Sequence, residues 1–127
     1  MIVGAYAVSF HSHPRTTGDI DVWIDPTPEN ATKVMAALSA FGAPIHDLHA
    51  SDLTTPGIVY QIGVVPRRVD ILTSLTGLDF PTAWRDRVSG NLGGIECPIL
   101  GRDAMVRNKR ALGRLQDIAD LELLGEV

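Results

Sequence analysis

The sequence predicts the α/β (α+β) fold class, with helices packed against a β-sheet, and three observations carry that expectation. Short β-branched runs alternate in polarity, as in Asp19 to Asp25 and Arg68 to Leu72. Side chains of a strand point alternately to its two faces, so these runs read as strands. Longer runs carry apolar residues at helical spacing, as Ala31, Val34, Leu38 and Phe41 do. Gly and Pro punctuate the boundaries between the two kinds of run. The 127 residues fit one domain spanning 1–127, because domains of about 100–150 residues are the commonest and bury roughly two thirds of their unfolded surface. No repeat, linker or low-complexity segment divides the chain.

Met1 to Val3 reads as the end of a strand that turns through Gly4 into a short helix over residues 4–12, halted by Pro14. Backbone amides at such a helix start can hold an anion. Gly18 to Asp25 is the next strand, with Ile20, Val22 and Ile24 on one face and Asp19, Asp21 and Asp25 on the other. Two carboxylates on one strand face repel unless a cation sits between them, and hard divalent cations prefer oxygen ligands. Asp19 and Asp21 are therefore candidate metal ligands; an edge strand with its acids facing water is the other reading. Thr27 as N-cap, Pro28 at the first helical position, Glu29 in the first turn and Gly42 past the end then bound a helix.

His46 and His49, three residues apart, read as solvated histidines in a loop or short helix. Residues 58–65 and 68–72 are two further strands, separated by Pro66. Asp70, between Val69 and Ile71, is costly to bury unless something pairs with it. Arg68, two residues away on the same face, is one partner; a shared cation is the other. Asp79 to Trp84 reads as a single helical turn whose Phe80 and Trp84 serve packing or a lid rather than base stacking. Residues 87–98 hold two short strands around a Gly-rich turn at 91–94. Two helices follow, Arg102 to Leu112, stopped by Gly113, and Leu115 to Leu124, with Ile118, Leu121 and Leu124 as its apolar face.

Composition narrows the classes. With 45% hydrophobic and 20% charged residues, the chain is neither disordered nor fibrous. It contains no apolar run long enough for a membrane span and opens on no charged and apolar leader, so a cytoplasmic protein with no membrane partner is expected. A lone Cys97 excludes an internal disulfide and fits a reducing compartment. A net charge of −4 and a pI near 5.4 argue against broad non-specific nucleic-acid binding. A local basic patch stays open, because Arg67, Arg68, Arg102, Arg107, Lys109, Arg110 and Arg114 cluster in two short stretches.

Three motifs line up in order: the turn Val3-Gly4-Ala5-Tyr6-Ala7-Val8, the strand approach Arg15-Thr16-Thr17-Gly18-Asp19-Ile20-Asp21, and Asp70 in a later strand. Together they resemble the DNA polymerase β-like nucleotidyltransferase superfamily, and especially its small stand-alone bacterial and archaeal members and the abortive-infection type of toxin. The C-terminal Asn108-Lys109-Arg110-Ala111-x-Gly113-Arg114-x-x-Asp117 is similar to an element near the end of those domains. The likeness spans residue 3 to residue 121.

The resemblance implies a nucleotidyltransferase fold, a mixed β-sheet flanked by helices and short at its N-terminus. It implies Asp19, Asp21 and Asp70 as catalytic residues and as ligands of Mg²⁺, or of Mn²⁺. Gly4, Ala5, Arg15, Lys109 and Arg114 would bind a nucleoside triphosphate such as ATP. A nucleoside monophosphate would pass to a hydroxyl of an RNA such as a tRNA end, a protein or a small molecule, releasing pyrophosphate, in a toxin–antitoxin setting for the toxin-like members. Two cations about 3.5–4 Å apart stabilise the attacking and leaving oxygens of an in-line displacement, and Mg²⁺ needs few carboxylates because it keeps its waters.

Two departures stand out. Ala5 occupies the place of a second Gly or a Ser, putting a methyl group where backbone approaches phosphate. Related domains also carry a helix and most of a strand before the motif. An uncovered sheet edge or apolar surface is therefore expected, covered by a second subunit of a homo-oligomer or by residues upstream. Two other function classes remain: a non-catalytic nucleotide-binding or interaction module on the same fold, and a transition-metal site from His11, His13 and Cys97, which no Cys-x-x-Cys spacing supports.

Overall fold

The computed structural model describes residues 1–13, 18–64 and 66–126. Among them six strands form one mixed sheet: β1 (Ile2–Val3), β2 (Asp19–Trp23), β3 (Val59–Val64), β4 (Arg67–Leu72), β5 (Val88–Leu92) and β6 (Ile95–Ile99). Their spatial order is β3-β4-β2-β1-β6-β5. β2 is parallel to β4 and antiparallel to β1, which is itself parallel to β6; the hairpins β3–β4 and β5–β6 supply the two outer pairs. The helices are α1 (Gly4–His11), α2 (Pro28–Phe41), α3 (Phe80–Arg85), α4 (Arg102–Leu112) and α5 (Leu115–Leu123), with a 3-10 turn at Asp52–Thr54. The mixed α/β architecture expected from the sequence is observed. No helix of the described residues is long and apolar enough to cross a membrane.

Successive residues at and just past the end of β2 feed different apolar cores. Trp23 joins a core with Val3, Val8, Ile99, Leu100 and Met105. Ile24, the next residue, joins a second with Ala31, Leu38, Leu53 and Ile71. Strand alternation places the two cores on opposite faces of the sheet, the first under α1 and α4 and the second under α2. A one-residue slip of β2 against β4 would carry these side chains into the wrong core, which pins the register. At the start of β2, a Cβ on Gly18 would stand 1.8 Å from the Pro66 carbonyl oxygen. Only glycine lets the chain enter the strand that close to the β3–β4 connection.

α2 is built as its sequence requires. Thr27 Oγ1 accepts from the Asn30 N–H at 3.3 Å, Pro28 opens the helix, and Gly42 closes it with left-handed backbone at φ 88°. Replacing Thr27 with Ala should lower stability by about 1 kcal/mol, read from urea unfolding. The Asp79 carboxylate likewise accepts from the Thr82 N–H at 3.0 Å to start α3. Phe80 and Trp84 stack 5.7 Å apart there, and Phe80 meets Trp23 edge-on at 5.2 Å.

Three expectations are corrected. Phe41, placed in the apolar stripe of α2, is 72% exposed, because the helix ends at that residue and Ala43 and Ile45 pack on the second core instead. Ile118, placed on the apolar face of α5, is also largely exposed; the helix turns Asp117 and Asp120 inward. The open sheet edge expected at the N-terminus is absent, since β1 is paired on both sides, by β2 and by β6. Beside Met1 there remains an apolar hollow of about 760 Å³, lined by Ile24, Val34, Phe80 and Trp84 among others.

Candidate functional site

The parallel pairing of β2 with β4 sets Asp21 directly opposite Asp70, and Asp19 opposite Arg68. Paired residues point to the same face of a sheet. The four side chains therefore meet at one wall of an open cleft of about 680 Å³. The start of α1 is part of the same cleft. Gly4 and Ala5 line it, and the N-cap residue Val3 gives no side-chain hydrogen bond to the helix start, where backbone amides suit an anion. Gly4 has a left-handed φ of 66°, and a Cβ there would stand 2.1 Å from Asp21 Oδ2. That close approach is what this turn requires of glycine.

Arg68 holds the acids together. Its Nε lies 2.9 Å from Asp70 Oδ1, its Nη2 donates to Asp70 Oδ2 at 3.3 Å, and Nη2 also lies 3.4 Å from Asp19 Oδ2. The Nε contact is close enough for an ion pair but misdirected for a hydrogen bond. Among the described residues, Arg68 Nε and Asp70 Oδ1 are both buried without a hydrogen-bond partner, as is Asp19 Oδ1. The Asp21 carboxyl is pushed above its ordinary range, first by burial, then by repulsion from Asp70 and Asp19, with Arg68 opposing. One guanidinium thus faces three carboxylates.

The donor set fits a hard divalent cation: all oxygen, in negative excess, with two oxygens unsatisfied. As the side chains lie, no three of the described His, Cys, Asp or Glu residues are disposed to hold a metal ion, and Arg68 stands between Asp19 and Asp70. The histidines do not gather. His11 Nε2 is bonded to the Leu100 carbonyl at 2.8 Å, His13 is exposed, and His49 is an exposed partner of Asp52 at 3.7 Å.

The far wall comes from α4 and α5. Lys109 and Arg114 line the cleft as expected, yet both are engaged. Lys109 Nζ lies 3.4 Å from Asp117 Oδ1 and 3.0 Å from Asp120 Oδ2, with all three residues buried. Arg114 donates through Nε and Nη2 to the two Asp117 oxygens at 2.7 and 3.2 Å, and its backbone N–H donates to Oδ2 at 3.1 Å. These pairs join α4 to α5 across Gly113. Of the two cations, Lys109 is buried and Arg114 is exposed. Arg15 lies outside the described residues. Ser74, Thr76, Asn108 and Gln116 also line the cleft, and Asn108 donates to the Thr76 carbonyl at 2.9 Å; nothing in the local sequence marks Ser74, Thr76 or Gln116.

Hydrogen bonds from Arg114, then the charge of Lys109, hold the Asp117 carboxyl below its ordinary range. A carboxylate depressed in the folded state stabilises above its unfolded pKa and loses that contribution as pH falls through the folded value. Stability should therefore decline below about pH 4, and Asp117→Asn should flatten that decline in acid titrations followed by circular dichroism.

Neither any protein-family model nor any curated protein matches this chain.

Proposed function

We propose that the chain is a Mg²⁺-dependent nucleotidyltransferase, moving a nucleoside monophosphate from a nucleoside triphosphate to a hydroxyl acceptor. One observation carries the reading: Asp19, Asp21 and Asp70 share a cleft with the uncapped start of α1. Asp19, Asp21 and Asp70 would hold the divalent ion, which supplies charge neutralisation at the triphosphate. Amides at Gly4 and Ala5 bind phosphate oxygens. Asp70 accepts the acceptor's hydroxyl proton at Oδ1, the oxygen without a hydrogen-bond partner. The acceptor oxygen then forms its bond to the α-phosphorus as the bond to the bridging oxygen breaks, and pyrophosphate leaves with that electron pair. The acceptor class, whether RNA, protein or small molecule, is open, and the anionic surface disfavours a long RNA.

One observation favours a second reading, a nucleotide-binding module without turnover. Arg68 already offsets the repulsion among the acids, so their presence does not by itself require a metal.

The test is calorimetric titration with each of the four nucleoside triphosphates, with and without Mg²⁺, on wild type and on the Asp19→Asn, Asp21→Asn double variant. Metal-dependent binding of a nucleotide that the variant loses is expected. Absence of binding by folded wild type would overturn both readings. Binding that survives Asp70→Asn, with no product from wild type on any acceptor, would select the module.

A further inference from the structure

We propose that Arg68 is a built-in competitor of the divalent cation: its guanidinium and the metal are alternative occupants of the Asp19–Asp70 oxygens, and it thereby sets the metal affinity of the cluster. The inference rests on the reading of that cluster as a cation site.

The geometry of the guanidinium carries it. A planar fork matches the two oxygens of one carboxylate. Here Nε and Nη2 face the two oxygens of Asp70 at 2.9 and 3.3 Å, the shorter contact being misdirected, and Nη2 is also drawn towards Asp19 Oδ2 at 3.4 Å. The Nε contact is misdirected and the two from Nη2 are long, so the occupant offsets the repulsion among the acids without satisfying them. Among the described residues, Asp70 Oδ1 and Asp19 Oδ1 stay buried with no hydrogen bond. A guanidinium and a divalent ion repel, so each weakens the other's hold on the same oxygens. The way out is short, because Arg68 itself lines the cleft and keeps 28% of its side chain exposed. A rotation of that side chain clears the oxygens with no movement of β4. Arg68 is thus a positioning residue that acts through the carboxylates.

The experiment titrates chelator-treated protein with Mn²⁺ alone, by calorimetry at fixed ionic strength, for wild type, Arg68→Gln and Arg68→Lys. The thermal midpoint of each is measured with and without the metal. Removing the competing charge should tighten Mn²⁺ binding roughly tenfold in Arg68→Gln. Its midpoint should fall without metal and recover with it, by more than the wild-type shift. Arg68→Lys, which keeps the charge but not the two-carboxylate span, should lie between. If Arg68→Gln does not fold without metal, tighter binding by Arg68→Lys than by wild type supports the proposal. Variants that bind no tighter than a wild type that does bind would overturn it while leaving the cation site standing. Failure of wild type and both variants to bind would overturn the proposal and the cation reading together.

Discussion

Substituting Lys109 with Met should lower the unfolding free energy by about 3–5 kcal/mol. Lys109 is 7% exposed and its ammonium is shared by Asp117 and Asp120, which are 0% and 3% exposed. Methionine keeps the length of the side chain but leaves two buried carboxylates beside each other, with Arg114 attached to one of them. Removing one partner of a buried ion cluster costs far more than the net worth of the cluster, because the remaining charges stay desolvated with less to offset them. Denaturant unfolding should show a lower midpoint at unchanged slope. The deficit should shrink in acid, where the carboxylates take up protons. A loss below about 1 kcal/mol would mean that water reaches the cluster and that it behaves as a surface pair.

Gly4→Ala should be nearly as damaging, and in a way that reaches the site. The left-handed backbone costs about 1–2 kcal/mol with any Cβ, and this Cβ would stand 2.1 Å from Asp21 Oδ2. The carboxylate has to leave its place, so a total loss of about 2–3 kcal/mol is expected. Metal-dependent nucleotide binding should disappear with it. Adding Asp21→Gly to Gly4→Ala should restore the steric part of the stability while leaving binding absent, and a double-mutant cycle measures the coupling. Full binding by Gly4→Ala alone would show that Asp21 is not needed where it now lies.

What could be read from the sequence divides along a physical line. Caps are local: Thr27, Pro28 and Gly42 act within a few residues of themselves, and each does what its position predicts. The Arg68–Asp70 pair is local too, two residues apart on one strand. The reach of Arg68 to Asp19 is not, because it depends on the parallel register of β2 with β4, which no short pattern encodes. The burial of Lys109 is not legible for a related reason. In its own helix it looks like any charged residue on a polar face, and its burial is imposed by α5 folding back after Gly113. The same long-range assembly puts the two-residue β1 inside the sheet, where a strand that short reads as an edge. Ser74, Thr76 and Gln116 were illegible because a cleft wall has no periodicity.

The pairing of β2 with β4 has a kinetic side. Asp21 and Asp70 come from segments separated by the whole of α2, the 3-10 turn and β3. Joining them closes a long loop, whose entropy has to be overcome before the contacts return anything. A chain that has formed only its helices, or only the β3–β4 hairpin, carries scattered aspartates with ordinary affinities. The concentrated negative charge of the cleft arises together with the parallel pair, so an incompletely folded chain has no half-formed version of it.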